Sequence, residues 1–143
     1  MKTRPRVFLD TNVYVFGFER QLSNSAMILK ELSGGTIHAV ISERVFKESI
    51  EYFRRNYAKK TADKFRLFVL SSSAVVNEES VREEMNRLRG KIKPKDLENL
   101  AVVRALGLRY LVSLDRHFES FPEHITPRAF VNLLGLRPAI TKY

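Results

Sequence analysis

Along the chain, short unbroken apolar runs alternate with longer stretches in which apolar residues recur every three or four positions. Val7-Phe8-Leu9 stops abruptly at Asp10, Thr11 and Asn12. Three apolar residues without polar alternation predict a strand covered on both faces, as in a parallel sheet. Residues 13–18 predict a short helix or turn packed on it. Over 23–33 Ala26, Leu29 and Leu32 share a helix face, with Ser23 as cap and Gly34-Gly35 as stop. Residues 36–41 have strand character. Ser42 to about Lys60 predicts one helix with Val45, Phe46, Ser49, Phe53 and Tyr57 as its buried stripe. A further helical piece is expected over 65–70, a strand over 74–76, and helical charge alternation over 78–89, closed by Gly90. A basic loop comes next at 91–95, where Pro94 discourages helix. The spacing then predicts a helix from Asp96 to Leu106 closed by Gly107, and a buried-type strand from Tyr110 that ends at Asp115. Thr126 caps a last helix, begun by Pro127, running to Leu134 and stopped by Gly135. Strands alternating with helices predict crossover units and a mainly parallel central sheet, an α/β fold.

With 143 residues, 44% hydrophobic and 29% charged, the chain predicts one globular domain over 1–143, large enough for a real core. No repeat or linker divides it. The absence of cysteine excludes disulfides, thiolate metal sites and a cysteine nucleophile, and suits the cytoplasm. The basic start Met1-Lys2-Thr3-Arg4-Pro5-Arg6 is followed by an apolar stretch too short for a signal peptide or a membrane span, so no membrane association is expected. A net charge of +9 points to a polyanion partner, nucleic acid first among them. Arg54, Arg55, Lys59 and Lys60, interleaved with Tyr52, Phe53 and Tyr57, read either as such a surface or as a solvated helix face with core aromatics. Lys93, Lys95 and Arg116 are further candidates for contact with the backbone.

The candidate chemistry lies in the acids. In open α/β sheets ligands bind beyond the carboxyl ends of strands, where Asp10 and Asp115 stand. Asp96 opens a helix, and Asn99 lies near the same face and can share what Asp96 binds. Capping alone would also explain Asp10 and Asp96. At ~100° per residue Glu48 falls about 60° from Val45, at the rim of the buried stripe, whereas Glu51 should face water. A boundary glutamate paired with Arg55 or Lys47 is the plainer alternative. Converging carboxylates that stay ionised need a cation, and oxygen donors without cysteine select Mg²⁺ or Mn²⁺. Such an ion positions a phosphodiester and activates water, so hydrolysis of RNA or DNA is the economical reading.

Val7-Phe8-Leu9-Asp10-Thr11-Asn12, Ile41-Ser42-Glu43 leading to Glu48, Asp96 with Leu100-Ala101, Tyr110-Leu111-Val112-Ser113-Leu114-Asp115-Arg116 and Thr126-Pro127-Arg128-Ala129-Phe130 succeed one another as in a PIN domain. The whole chain resembles that family, most of all the toxin-type (VapC-like) members. The resemblance implies a three-layer α/β/α fold and a ribonuclease dependent on Mg²⁺ or Mn²⁺. In it Asp10, Asp96 and Asp115 are metal ligands, Glu48 joins the catalytic acids, and Asn12, Thr11, Ser113 and Asn99 support them. It also implies a homodimer and a small antitoxin protein that blocks the site. Two positions depart from the family: Leu114 stands where many members have glycine, and His117 where they have a second acid. Either Glu119 replaces that acid or the site lacks it. The rival readings are a PIN-fold protein that binds nucleic acid without cutting, an RNA-processing nuclease with no antitoxin, and a phosphoacceptor or phosphatase. The last would want an acid where Asn12 stands.

Overall fold

The computed structural model describes residues 4–143; Met1, Lys2 and Thr3, half of the basic start, lie outside it. Five strands form one parallel sheet: β1 (Arg6–Leu9), β2 (His38–Ser42), β3 (Ser73–Val76), β4 (Leu111–Val112) and β5 (His124–Ile125), in the order β3-β2-β1-β4-β5. The run that ends at Asp10 is the central strand. Val7, Phe8 and Leu9 are buried because helices cover both faces.

The connections explain the layers. From β1 the chain crosses through α1 (Thr11–Glu19) and α2 (Asn24–Ser33) to β2, then through α3 (Glu43–Asn56) and α4 (Lys59–Ser72) to β3. Both steps move outward in one direction, so right-handed crossovers put these four helices on one face. The next crossover, through α5 (Arg82–Leu88) and α6 (Pro94–Ala105), returns past β1 to β4 and covers the other face. Packing agrees, with α1 against α2 and α3, α3 against α4, and α5 against α6. The last helix, α7 (Pro127–Leu133), packs on α2. The strand order thus reverses between β1 and β4. That switch point leaves a crevice at the carboxyl edge.

At the carboxyl end of each strand stands a residue that caps the next helix or turn. Asp10 caps α1, Ser42 caps α3 and Thr126 caps α7, while Asn77 and Asp115 cap single 3-10 turns. The predicted elements exist, the piece expected over 65–70 as part of the longer α4 and β5 as a strand not predicted, with four further corrections. The helix expected from Ser42 to Lys60 is broken, because Tyr57 turns extended (φ −138°, ψ 162°) and packs its ring against Phe18 and Phe53. Pro94 starts α6 instead of delaying it, since a first-turn proline needs no N–H and already has helical φ. Asp96 is therefore a first-turn residue and not the cap. The strand expected from Tyr110 ends at Val112, because the backbone N–H groups of Leu114 and Asp115 go to the side chains of Asn12 and Ser113. On α2 the buried residues are Ile28 and Leu32 with Asn24 and Ser25, while Ala26 and Leu29 are only half-buried.

Candidate functional site

A cleft of about 380 Å³ opens at the carboxyl edge of the sheet, beside the β1/β4 switch point. Three helices and one turn line it. From α1 come Thr11, Asn12, Val15, Phe16 and Glu19; from α3, Glu48 and Tyr52; from α6, Lys95, Asp96 and Asn99; Asp10 and Asp115 complete it. The carboxylates of Asp10, Glu48, Asp96 and Asp115, scattered over the sequence, therefore face one space.

Asp10 is buried, 7% exposed. One carboxylate oxygen accepts the Thr11 N–H at 2.8 Å, as a cap does; the other accepts the Ser113 hydroxyl at 2.7 Å. Capping thus accounts for half of this side chain. Ser113 Oγ also accepts the Asp115 N–H at 2.9 Å and the Asn12 amide at 3.3 Å, and Asn12 Oδ1 accepts the Leu114 N–H at 3.2 Å. These bonds tie the turn after β4 to the start of α1. On the far side the Ser42 hydroxyl donates to Asn99 Oδ1 at 2.6 Å, which orients Asn99. Thr11 donates its hydroxyl to Glu48 Oε1 at 3.1 Å.

Burial pushes Asp10 up to about 6, with Asp115 and Glu48 adding repulsion, although the Ser113 and Thr11 hydrogen bonds pull the other way. Burial and the neighbouring Asp115 also raise Asp96, while Lys95 and His117 oppose them. Asp115 acts on both groups, so it sits between them electrostatically. Asp96 Oδ2 is buried, with the His117 imidazole at 3.4 Å and no well-formed hydrogen bond among the described residues. A buried carboxylate pair with little hydrogen bonding is costly to keep ionised unless a cation joins it, so the donor set fits a hard divalent ion. His117 Nδ1 lies 3.0 Å from Asp115 Oδ1 and 3.4 Å from Asp96 Oδ2, close enough for the three side chains to share an ion.

Glu48 and Glu51 have equally exposed side chains, 47% each, so the expected contrast in exposure is absent. What separates them is company. Glu48 lines the cleft, bonded to Thr11 and within 3.7 Å of Arg44, not Arg55 or Lys47; Glu51 pairs with Arg54 and Arg55 outside it. Glu119 is drawn away by Arg116 at 3.0 Å and does not line the cleft, so it does not replace the second acid; His117 is the residue beside Asp115 and Asp96.

Of the basic residues, Lys95 lines the cleft and Lys93 stands 3.2 Å from His117 Nε2. Arg116 faces a neighbouring cleft. Arg54, Arg55, Lys59 and Lys60 are exposed and line neither. Their aromatic companions do not form a stacking surface with them. Phe53 is fully buried against Phe65, and the Tyr52 and Tyr57 hydroxyls both donate to Glu19 Oε2, at 2.7 and 2.8 Å. Glu19, a fifth carboxylate at the rim, is not among the acids that the sequence singles out. Its signal was present: Asn12, Phe16 and Glu19 share one face by helical spacing from the strand end, so a helix with Asn12 in the site also carries Glu19 there.

No protein-family model and no curated protein matches the chain. Solved structures do. A toxin-antitoxin complex from Klebsiella pneumoniae superposes with a TM-score of 0.67 at 21% identity, covering 85% of this chain and 97% of the other. VapBC2 from Rickettsia felis, bound to a DNA fragment from its promoter, gives 0.67 at 19%, covering 85% and 96%. VapC20 from Mycobacterium tuberculosis, a toxin that cleaves the sarcin-ricin loop, gives 0.57 at 18%, covering 80% and 93%. At these identities the likeness establishes the fold, that of VapC-type PIN domains.

Proposed function

On a fold shared with VapC-type toxins, we propose that this protein is an endoribonuclease that hydrolyses RNA phosphodiester bonds with Mg²⁺ or Mn²⁺. One observation carries the reading: the carboxylates of Asp10, Glu48, Asp96 and Asp115 converge on one cleft, where Asp96 and Asp115 share only the His117 imidazole as a close side-chain counter-group. Asp10, Asp96 and Asp115 would hold the ion, with His117 beside them. A divalent cation bound there lowers the pKa of a coordinated water and offsets charge on the phosphodiester.

The protein's own part is to keep the donors in place and the strand within reach. Ser113 and the Thr11 N–H hold Asp10 with both oxygens directed, and Asn12 fixes the turn that carries Asp115. Ser42 presents Asn99 to the cleft. Lys95 and Lys93 supply positive charge at the rim, which partly cancels the repulsion an RNA strand meets from the acids.

The solved neighbours include toxin-antitoxin complexes, which supports a small protein antitoxin as the partner of this chain. We include a homodimer in the proposal on the strength of the resemblance. The test is direct. Purified protein should cleave an RNA oligonucleotide with Mn²⁺ or Mg²⁺, EDTA should stop it, and Asp10→Asn and Asp115→Asn should each lose activity about 100-fold or more with an unchanged circular dichroism spectrum. Mutants that cut at the parent rate would overturn the assignment.

A further inference from the structure

A second cleft, of about 560 Å³, lies next to the acidic one and shares Phe16 with it. The chain itself divides them: Leu114 and Arg116 line the second cleft, while Asp115, between them, lines the first. The second has the opposite character. Arg116, Arg128 and Lys142 line it with His124, and its acid, Glu119, is already paired with Arg116. Phe16 and Tyr143 supply aromatic surface, their rings 4.7 Å apart.

Its outer wall is built into the fold. Asn24, fully buried at the start of α2, donates to the carbonyls of Thr141 (2.7 Å) and Ala139 (3.4 Å) and accepts the Ala139 N–H (2.7 Å). Ser25, also buried, donates its hydroxyl to the Tyr143 carbonyl at 2.6 Å. Two buried polar side chains thus hold residues 139–143 against α2, with Lys142 and Tyr143 lining the cleft. Arg20 stacks on the Tyr143 ring, 4.3 Å from its centroid, and fixes it further.

We propose that this cleft binds the backbone of single-stranded RNA beside the bond that is cut, with Arg116, Arg128 and Lys142 taking phosphates and Phe16 marking the passage between the two clefts. The proposal rests on the ribonuclease reading above and adds the track of the substrate. An acidic centre repels a polyanion, so the cations that hold the strand must flank it, and three of them line a cavity one residue from Asp115. Phe16 and Tyr143 already pack on each other and under Arg20, so they shape the wall while the cations make the contact.

The experiment compares the parent chain with Arg128→Glu/Lys142→Glu, with the milder Arg128→Gln/Lys142→Gln, and with Arg82→Glu/Arg87→Glu, an equal charge change on residues that line neither cleft. Binding of a single-stranded RNA oligonucleotide is measured by fluorescence anisotropy in EDTA over a range of salt, and cleavage separately with Mn²⁺; thermal melts check that each variant folds. The cleft charge reversal should bind at least tenfold more weakly, with a salt slope shallower by roughly 0.7 per lost contact. The glutamine pair should show a smaller loss in the same direction, and the Arg82/Arg87 variant should stay within about twofold of the parent. Equal losses in both charge-reversed variants would reduce the effect to net charge and overturn the cleft. Parent-like binding by Arg128→Glu/Lys142→Glu would overturn it too, while Mn²⁺-dependent cleavage by the parent left the ribonuclease reading standing. A parent that neither binds nor cleaves RNA would overturn both.

Discussion

Asp10 has one oxygen engaged as a helix cap and the other as acceptor for Ser113, inside a site that burial makes hostile to its charge. Because its folded pKa is raised from 3.8 to about 6, the folded protein retains a proton in that window that the unfolded chain has released. Without metal, stability should therefore fall as pH rises from about 4 to about 6, by on the order of 3 kcal/mol for Asp10, with Asp96 acting in the same direction. Chemical denaturation of the metal-free protein across that range checks it. Asp10→Asn should flatten this dependence and match or exceed the parent's metal-free stability near neutral pH, while the Mn²⁺-induced rise in Tm disappears. A lower melting point for Asp10→Asn in EDTA would mean that the carboxylate is chiefly a structural cap. Glu48→Gln should lower cleavage by about tenfold or more and Glu51→Gln should leave it near parent level, because only Glu48 lines the cleft. Parallel rate measurements decide it. At this scale Asp10, Glu48, Asp96 and Asp115 were legible as candidates because each stands at a strand end, in a helix first turn or on a stripe edge. Glu19 was legible by its spacing from Asn12 and Phe16 but passed over, whereas the station of His117 was not legible, because it depends on Asp96 approaching from another element.

Between elements, contacts of closest approach set the geometry. Gly17 lies where α1 meets α2, and a Cβ there would come within 2.6 Å of Leu29 Cδ1 and 2.9 Å of the Ser25 carbonyl oxygen. The leucine could rotate; the backbone oxygen could not. Gly17→Ala should thus destabilise the fold by roughly 1–3 kcal/mol, read as a shift in the denaturation midpoint at constant m-value. Ser113 joins the turn after β4 to the start of α1 through two hydrogen bonds, to Asp10 and from Asn12, and holds the turn itself through the Asp115 N–H. Ser113→Ala should cost on the order of 2 kcal/mol and weaken Mn²⁺ binding as well, measured by calorimetric titration, since it removes an acceptor for the Asp115 N–H together with the donor to Asp10. Apart from β5, a two-residue strand too short to show a pattern, element existence was readable from periodicity, and the ends failed where tertiary contacts intervened. The break at Tyr57 comes from its aromatic packing, and the early end of β4 from side chains that take over its backbone bonds.

For the molecule as a whole, a +9 chain carries an acidic cleft and a basic cleft side by side. If a cation completes the first, protons must compete with it. The rise in Tm on adding Mn²⁺ should be small at about pH 5 and should grow through pH 6 to a plateau, whereas a pH-independent rise would place the ion elsewhere. Differential scanning fluorimetry at matched ionic strength separates the two outcomes. Net charge alone pointed to a polyanion but not to where in the fold the cations gather. Arg54, Arg55, Lys59 and Lys60 stand out as a cluster in the sequence, yet in the fold they line neither cleft; Arg128 and Lys142, unremarkable in the chain, line the second.

Local physics was enough to determine the alternation of strands and helices, the caps at the strand ends and the acids that sit on them, because each depends on neighbours a few positions away. Only the tertiary structure decided that β1 lies beside β4, bringing Asn12 to Ser113 across 101 residues of sequence, and that Asn24 clamps the tail that walls the basic cleft. Those pairings depend on the order in which strands join the sheet and on which buried polar groups find partners. No periodicity along a single chain records either.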